Sequence, residues 1–129
     1  MKDGADLALV WMTVPDVATG ERIGRVLVDE RLAACANVIP GVVSVYRWEG
    51  EVRTEGEAQV LLKTRRTLVE RLFGRAAELH PYEVPELVAT HLIGVAGSYR
   101  KWVLEETEHQ PGGEGRSSPA QTRVDDGSE

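Results

Sequence analysis

The chain has 129 residues and 42% hydrophobic content, which sets one domain with a modest core. A net charge of -6 leaves no basic face to neutralise phosphates, which argues against nucleic-acid binding. A single cysteine excludes an intramolecular disulfide, and no apolar run approaches membrane-spanning length.

The start, Met1 to Asp6, is acidic and lacks the basic-then-apolar pattern of a signal peptide. A soluble cytoplasmic protein is expected. Leu7 to Val14 is a continuous apolar run that predicts a central strand buried on both faces. Pro15-Asp16 ends it, with Asp16 as the N-cap of a helix. Ile23, Val26 and Leu27 recur there at helical spacing, and Glu21 and Arg25 form an i,i+4 pair. Gly20 and Gly24 weaken this helix.

Cys35 to Ile39 reads as a second strand, interrupted by a bulge or bend at Pro40-Gly41 and resumed from Val42 to Trp48. Alternation puts Val43, Val45 and Arg47 on one face and Ser44, Tyr46 and Trp48 on the other. Glu49-Gly50 predicts a hairpin turn. The return strand takes in Val52 and, beyond an acidic patch, Val60 to Leu62. Thr67 to Glu70 has the form of a capping box, opening a helix with Leu68, Val69, Leu72, Phe73 and Ala76 on its apolar stripe. Pro81 ends that helix. Leu87 to Ile93 predicts a fourth strand. Ser98 then caps a short helix carrying Tyr99, Trp102 and Val103.

Two strand–helix–strand units joined by a hairpin predict an α+β ferredoxin-like sandwich, βαββαβ plus a short C-terminal helix. Residues 1–106 form that domain. Residues 107–129 are rich in Gly, Ser, Pro and Gln and poor in large apolar side chains, which predicts a disordered acidic tail.

The segment from His80 to Glu86 carries an imidazole and two carboxylates between flanking prolines. His80 has two readings: a helix C-terminal histidine favoured by the helix dipole, or a ligand for copper or another divalent ion. Glu83 and Glu86 read as solvated or ion-paired carboxylates, or as oxygen ligands. In an extended segment they would point to opposite faces. Cys35 reads as a small buried hydrophobe. His91 and His109 have no neighbours at metal-ligand spacing. A lone tryptophan at the end of a long hairpin, Trp48, points to an oligomer that covers it and the strand edges. Enzyme signatures are absent: no nucleophile elbow, no phosphate-binding loop, no Cys–His pairing. Pro15 and Asp16 after the first strand also disfavour an anion grip there.

Three motifs occur in order: Arg31 to Val38, Tyr46 to Gly50, and His80 to Glu86. Together they resemble the CutA family, the divalent-cation-tolerance proteins, over residues 7–105. The resemblance implies a homotrimer in which hairpin strands pair between subunits and Tyr46, Trp48 and Glu49 occupy the interface. It implies that His80 contributes to a copper site. The family's metal-binding cysteine, before Thr-x-Pro-Asp, is replaced here by Met12, a soft thioether. A second histidine found in some members is replaced by Leu79. Glu86 stands where the family keeps a glutamate.

The expectation is a trimeric divalent-metal tolerance protein that binds copper or another divalent cation weakly at His80, Met12 and Glu86, without catalysis. The alternative is a regulatory trimer like the PII signal proteins. Arg47, Lys63 and Tyr82 would then line an inter-subunit pocket for a small anionic molecule. A hydrolase is a third reading, with only Asp16 and Lys63 as its polar core.

Overall fold

The computed structural model describes Gly4 and residues 6–107. The elements are β1 (Leu7–Val14), α1 (Val17–Asp29), β2 (Cys35–Trp48), β3 (Glu51–Arg65), α2 (Val69–Leu79), β4 (Leu87–His91) and α3 (Gly97–Glu106). The reading of the C-terminal tail, with His109, lies outside the described residues.

The strands form one sheet in the order β2-β3-β1-β4, and every hydrogen-bonded neighbour is antiparallel. The parallel strands β1 and β2 expected from the first crossover are therefore not adjacent; β3 lies between them. The helix-facing side of the sheet presents Val10, Met12 and Val14 from β1 and Ala58, Val60 and Leu62 from β3. These pack against Ile23 and Leu27 of α1 and Leu72 and Ala76 of α2. The main core lies between the sheet and these two helices, and a smaller cluster packs Leu7 and Ala34 against Val103 of α3 on the far face. β1 is therefore buried on both faces only at its start. Its side chains alternate, and Trp11 on the far face remains 37% exposed.

Asp16 caps α1 as expected, with its Oδ1 accepting from the Thr19 N–H at 2.8 Å. That hydrogen bond holds its carboxyl below the usual carboxylate range. Asp16 thus has a structural role, and no catalytic pair with Lys63 is needed to explain it. The two glycines of α1 are explained by proximity. A Cβ at Gly24 would sit 2.9 Å from the Ala36 Cβ, and one at Gly20 would meet Val60, Val14 and Val38 at 3.0–3.1 Å. They let α1 approach the sheet.

α1 ends in a Schellman arrangement. Leu32 N–H donates to the Leu27 carbonyl at 2.9 Å and Arg31 N–H to the Val28 carbonyl at 3.0 Å. Arg31 holds the left-handed position, φ 63°, that usually takes glycine. Its guanidinium donates to the Glu105 and Glu106 carbonyls at the end of α3, at 3.3 and 3.2 Å. Arg65 donates to the Thr107 hydroxyl at 3.1 Å and to the Leu104 carbonyl. Two arginines therefore satisfy the last carbonyls of α3.

Three local expectations shift. The predicted capping box at Thr67 is instead a 3-10 turn over Arg66–Leu68 without a side-chain cap, and α2 begins at Val69. α3 begins at Gly97, and Ser98 does not cap it. β4 stops at His91, two residues short of Ile93.

The long hairpin follows its local chemistry. Glu49 and Gly50 both have positive φ, 52° and 82°, as a two-residue type I′ turn requires. The register slips between Ile39 and Val42, where Pro40-Gly41 bulges with Gly41 at φ 76°. Past the bulge the hairpin projects beyond the helices, and Val43, Val45 and Val52 are left exposed.

Candidate functional site

The projecting hairpin and the loop from Pro81 to Glu86 enclose a cleft of about 630 Å³. It opens on the sheet face opposite α1 and α2. Strand alternation builds the hairpin wall. Tyr46 pairs with Arg53 and Ser44 with Glu55, so these side chains share one face. Trp48 extends that wall towards the tip, and Glu57 continues it towards the body of the sheet. The opposite wall is the loop, with Pro81, Tyr82, Glu83 and Glu86. Thr13, at the end of β1, joins the two walls.

His80 fixes the loop from behind. It is the C-cap residue of α2, only 8% exposed, with extended backbone. The Tyr82 N–H donates to its Nδ1 at 3.0 Å. Nδ1 is therefore the acceptor, and the proton sits on Nε2, which donates to the Thr13 carbonyl at 2.7 Å. The Tyr82 ring tilts against the imidazole, with centroids 4.8 Å apart. One histidine thus ties the start of the loop to the end of β1.

Hydroxyls are matched to carboxylates along the cleft. Tyr46 Oη donates to Glu55 at 2.7 Å, Tyr82 Oη donates to Glu57, and Thr13 Oγ1 donates to Glu86. Gln59 adds a longer contact to Glu86 at 3.4 Å. The hydrogen bond to Glu55 raises the Tyr46 phenol above its ordinary value. Burial, with the Glu57 carboxylate, pushes Tyr82 up strongly. Both phenols stay neutral donors. The charge of the cleft is four carboxylates, Glu55, Glu57, Glu83 and Glu86, against the single guanidinium of Arg53. That guanidinium is shared with Glu49 and Glu51, each 3.9 Å away.

The residues expected from the sequence divide accordingly. Tyr46, Trp48, Tyr82 and Glu86 meet at the cleft. So does Glu83: the loop bends instead of extending, so Glu83 and Glu86 both face the cleft rather than opposite sides. Met12 is separated from them. It is fully buried on the helix-facing side of β1, while its neighbour Thr13 and Glu86 lie on the other side. Arg47 alternates away from Tyr46, and Glu49 stays at the hairpin tip. Lys63 lies further along the sheet and donates to Asn37. The anion pocket of Arg47, Lys63 and Tyr82 is therefore not assembled within the chain. Cys35 is half-buried rather than core, 3.8 Å from the Tyr99 hydroxyl. Burial, with the Cys35 contact, pushes that hydroxyl up to about 12.

Glu55, Glu57 and Thr13 are cleft residues that the sequence reading missed. Their signal was present. A two-residue turn at Glu49-Gly50 fixes the register that sets Ser44 opposite Glu55, and odd positions from Glu51 to Gln59 then share a face.

A resident metal centre does not fit these side chains. Among the described residues no group of three or more His, Cys, Asp or Glu is placed to hold an ion. Both nitrogens of His80 are occupied by backbone partners. No helix among the described residues is long and apolar enough to cross a membrane.

Comparison with known proteins gives one answer. The sequence pattern of the CutA1 divalent ion tolerance protein family matches residues 8–106. The divalent-cation tolerance protein CutA of Thermus thermophilus is 42% identical over 99 residues, covering 77% of this chain and 96% of that one. The chloroplastic CutA protein of Arabidopsis thaliana is 38% identical over 101 residues, 78% of this chain. The aligned region spans just over half, 56%, of that plant relative. Among solved structures, CutA from Xylella fastidiosa superposes with a TM-score of 0.78 at 42% identity, covering 80% of this chain and 99% of that one.

Proposed function

The chain belongs to the CutA1 divalent ion tolerance family, and from that premise we propose that it serves divalent-ion tolerance by binding, not catalysis, as a homotrimer. The sheet order, with α1 and α2 on one face, is read as the ferredoxin-like sandwich. The single observation that supports assembly is the part of the sheet face that α3 leaves uncovered. Trp11, Ile39 and Val88 lie there, each between about a third and half exposed. The projecting hairpin also exposes Val43, Val45 and Val52, on its other face. Such surface is costly in water and is what subunit interfaces cover. The cleft, with Tyr46, Trp48 and Tyr82, would then lie at or beside a subunit boundary.

The proposed cargo is copper or another divalent cation, weakly held. Glu86 is the exposed anionic donor. His80 joins only if its ring leaves the Thr13 carbonyl, a cost that keeps affinity low. Met12 is too deeply packed to contribute without opening the core. The excess of carboxylates in the cleft disfavours the rival anionic ligand. A free cysteine suits a reducing compartment, and we place the protein in the cytoplasm.

Sedimentation equilibrium tests the assembly. The full chain should run at three times its 14.2 kDa mass, and Trp11→Asp should run as a monomer. A wild-type mass of one chain would remove the proposal.

A further inference from the structure

The projecting hairpin has a weak level built into both of its strands. β2 bulges at Pro40-Gly41, where the register slips between Ile39 and Val42 and Gly41 takes φ 76°. Just past that level Val43 pairs with Gly56 of β3. A Cβ at Gly56 would meet nothing within 4 Å, so no side chain stiffens the strand there. From Ile39 to Gly56 no residue is buried, whereas Ala58 begins the packed part of β3. A bulge beside a bare glycine, outside the core, is where a two-stranded ribbon bends.

One contact ties this level to the body of the protein. Glu57, opposite Val42, accepts from the Tyr82 hydroxyl. Among the described residues this is the side-chain hydrogen bond that joins residues 42–57 to the rest of the chain. The Tyr46–Glu55 bond and the Arg53 ion pairs stay within the hairpin. Tyr82 is itself held. Its N–H donates to His80 Nδ1 at 3.0 Å, and its ring lies 4.8 Å from the imidazole. His80 in turn reaches the Thr13 carbonyl at 2.7 Å. A rigid connection therefore runs from the ends of α2 and β1, through Tyr82, to the hinge.

We propose that Tyr82 is a latch: its hydrogen bond to Glu57 sets the angle of a hairpin hinged at Pro40-Gly41 and Gly56, and so presents that hairpin preformed to a neighbouring subunit. Ordering the hairpin before contact reduces the conformational entropy lost on association. The inference deepens the assembly reading and rests on it.

The test mixes isotope-labelled and unlabelled full chains and follows subunit exchange by native mass spectrometry, in urea that lets the wild type exchange within hours. Tyr82→Phe keeps the ring on His80 and should exchange about tenfold faster, for want of one hydrogen bond to a charged acceptor. Glu57→Gln keeps an acceptor without the charge and should exchange about threefold faster. Gly56→Ala stiffens the hinge and should slow Tyr82→Phe about threefold in the double variant. Tyr82→Phe exchanging at the wild-type rate would overturn the proposal. So would a double variant as fast as Tyr82→Phe, since the hydroxyl would then act on the neighbour directly and not through the hinge. A wild type found as a single chain would remove the assembly reading alone. The latch is then read from amide order parameters of residues 43–56, which should fall in Tyr82→Phe; values equal to wild type would overturn it.

Discussion

The Nε2 of His80 lies 2.7 Å from the carbonyl oxygen of Thr13, which locks the end of α2 to the end of β1. With Nδ1 accepting from Tyr82, the imidazole is a bracket for the loop that walls the cleft. His80→Ala should therefore destabilise the protein by about 2–4 kcal/mol in urea melts without any metal, through two lost hydrogen bonds and a cavity. His80→Ala with unchanged stability would mean that the ring is not structural.

Met12 separates packing from ligation. Met12→Leu conserves volume and should cost less than about 1.5 kcal/mol. It should leave any copper isotherm unchanged, because the thioether is sealed in the core. A weakened isotherm in this variant would place sulfur in the metal site after all.

Gly24→Ala runs against helix propensity. Alanine favours a helix by about 1 kcal/mol over glycine. The new methyl, however, would meet the Ala36 Cβ at 2.9 Å and force α1 off the sheet. A net loss of about 1–2 kcal/mol is expected from thermal melts. A rise in stability would show that α1 yields easily.

Arg31→Gly should separate two effects. Glycine relieves the left-handed backbone, a gain of about 1 kcal/mol, but removes the donors to the α3 carbonyls. Global stability should barely move while amide exchange in α3 accelerates relative to β1 and β3. Equal α3 exchange in wild type and Arg31→Gly would contradict the clamp.

Acid should weaken the fold through Asp6 and Glu30. The Arg100 guanidinium beside Asp6 and the Arg75 fork on Glu30 hold both carboxyls below their ordinary values. A depressed folded pKa contributes stability above the unfolded value, near pH 4, and loses it as pH falls through the lower folded value. The double variant Asp6→Asn with Glu30→Gln should be less stable than wild type at pH 7, and the two should converge in strong acid.

The elements were legible where local chemistry decides. Asp16, Glu49-Gly50 and Pro40-Gly41 each impose a cap, a turn or a bulge through their own backbone preferences, and each appears where the sequence puts it. Periodicity misled at β1. Its apolar run reads as burial on both faces, yet α3 covers the far face only at Leu7 and leaves Trp11 exposed, because the run cannot tell a helix layer from a surface left for another chain. The capping box failed at Thr67 because the chain enters α2 through a 3-10 turn.

The site was half legible. Tyr46, Trp48, Tyr82 and Glu86 were visible as an unusual cluster of residue types and do meet. The role of His80 was not, since whether an imidazole is free depends on a carbonyl 67 positions away. Strand alternation sets Met12 and Arg47 apart from this cluster, because it sends neighbouring side chains to opposite sides of the sheet.

The most direct test of cation binding is calorimetric titration of the tag-free full chain with Cu(II), alongside Glu86→Gln. The account predicts saturable micromolar binding, near one ion per chain, that Glu86→Gln weakens at least about tenfold. Binding absent from wild type, or equally strong in Glu86→Gln, would contradict it.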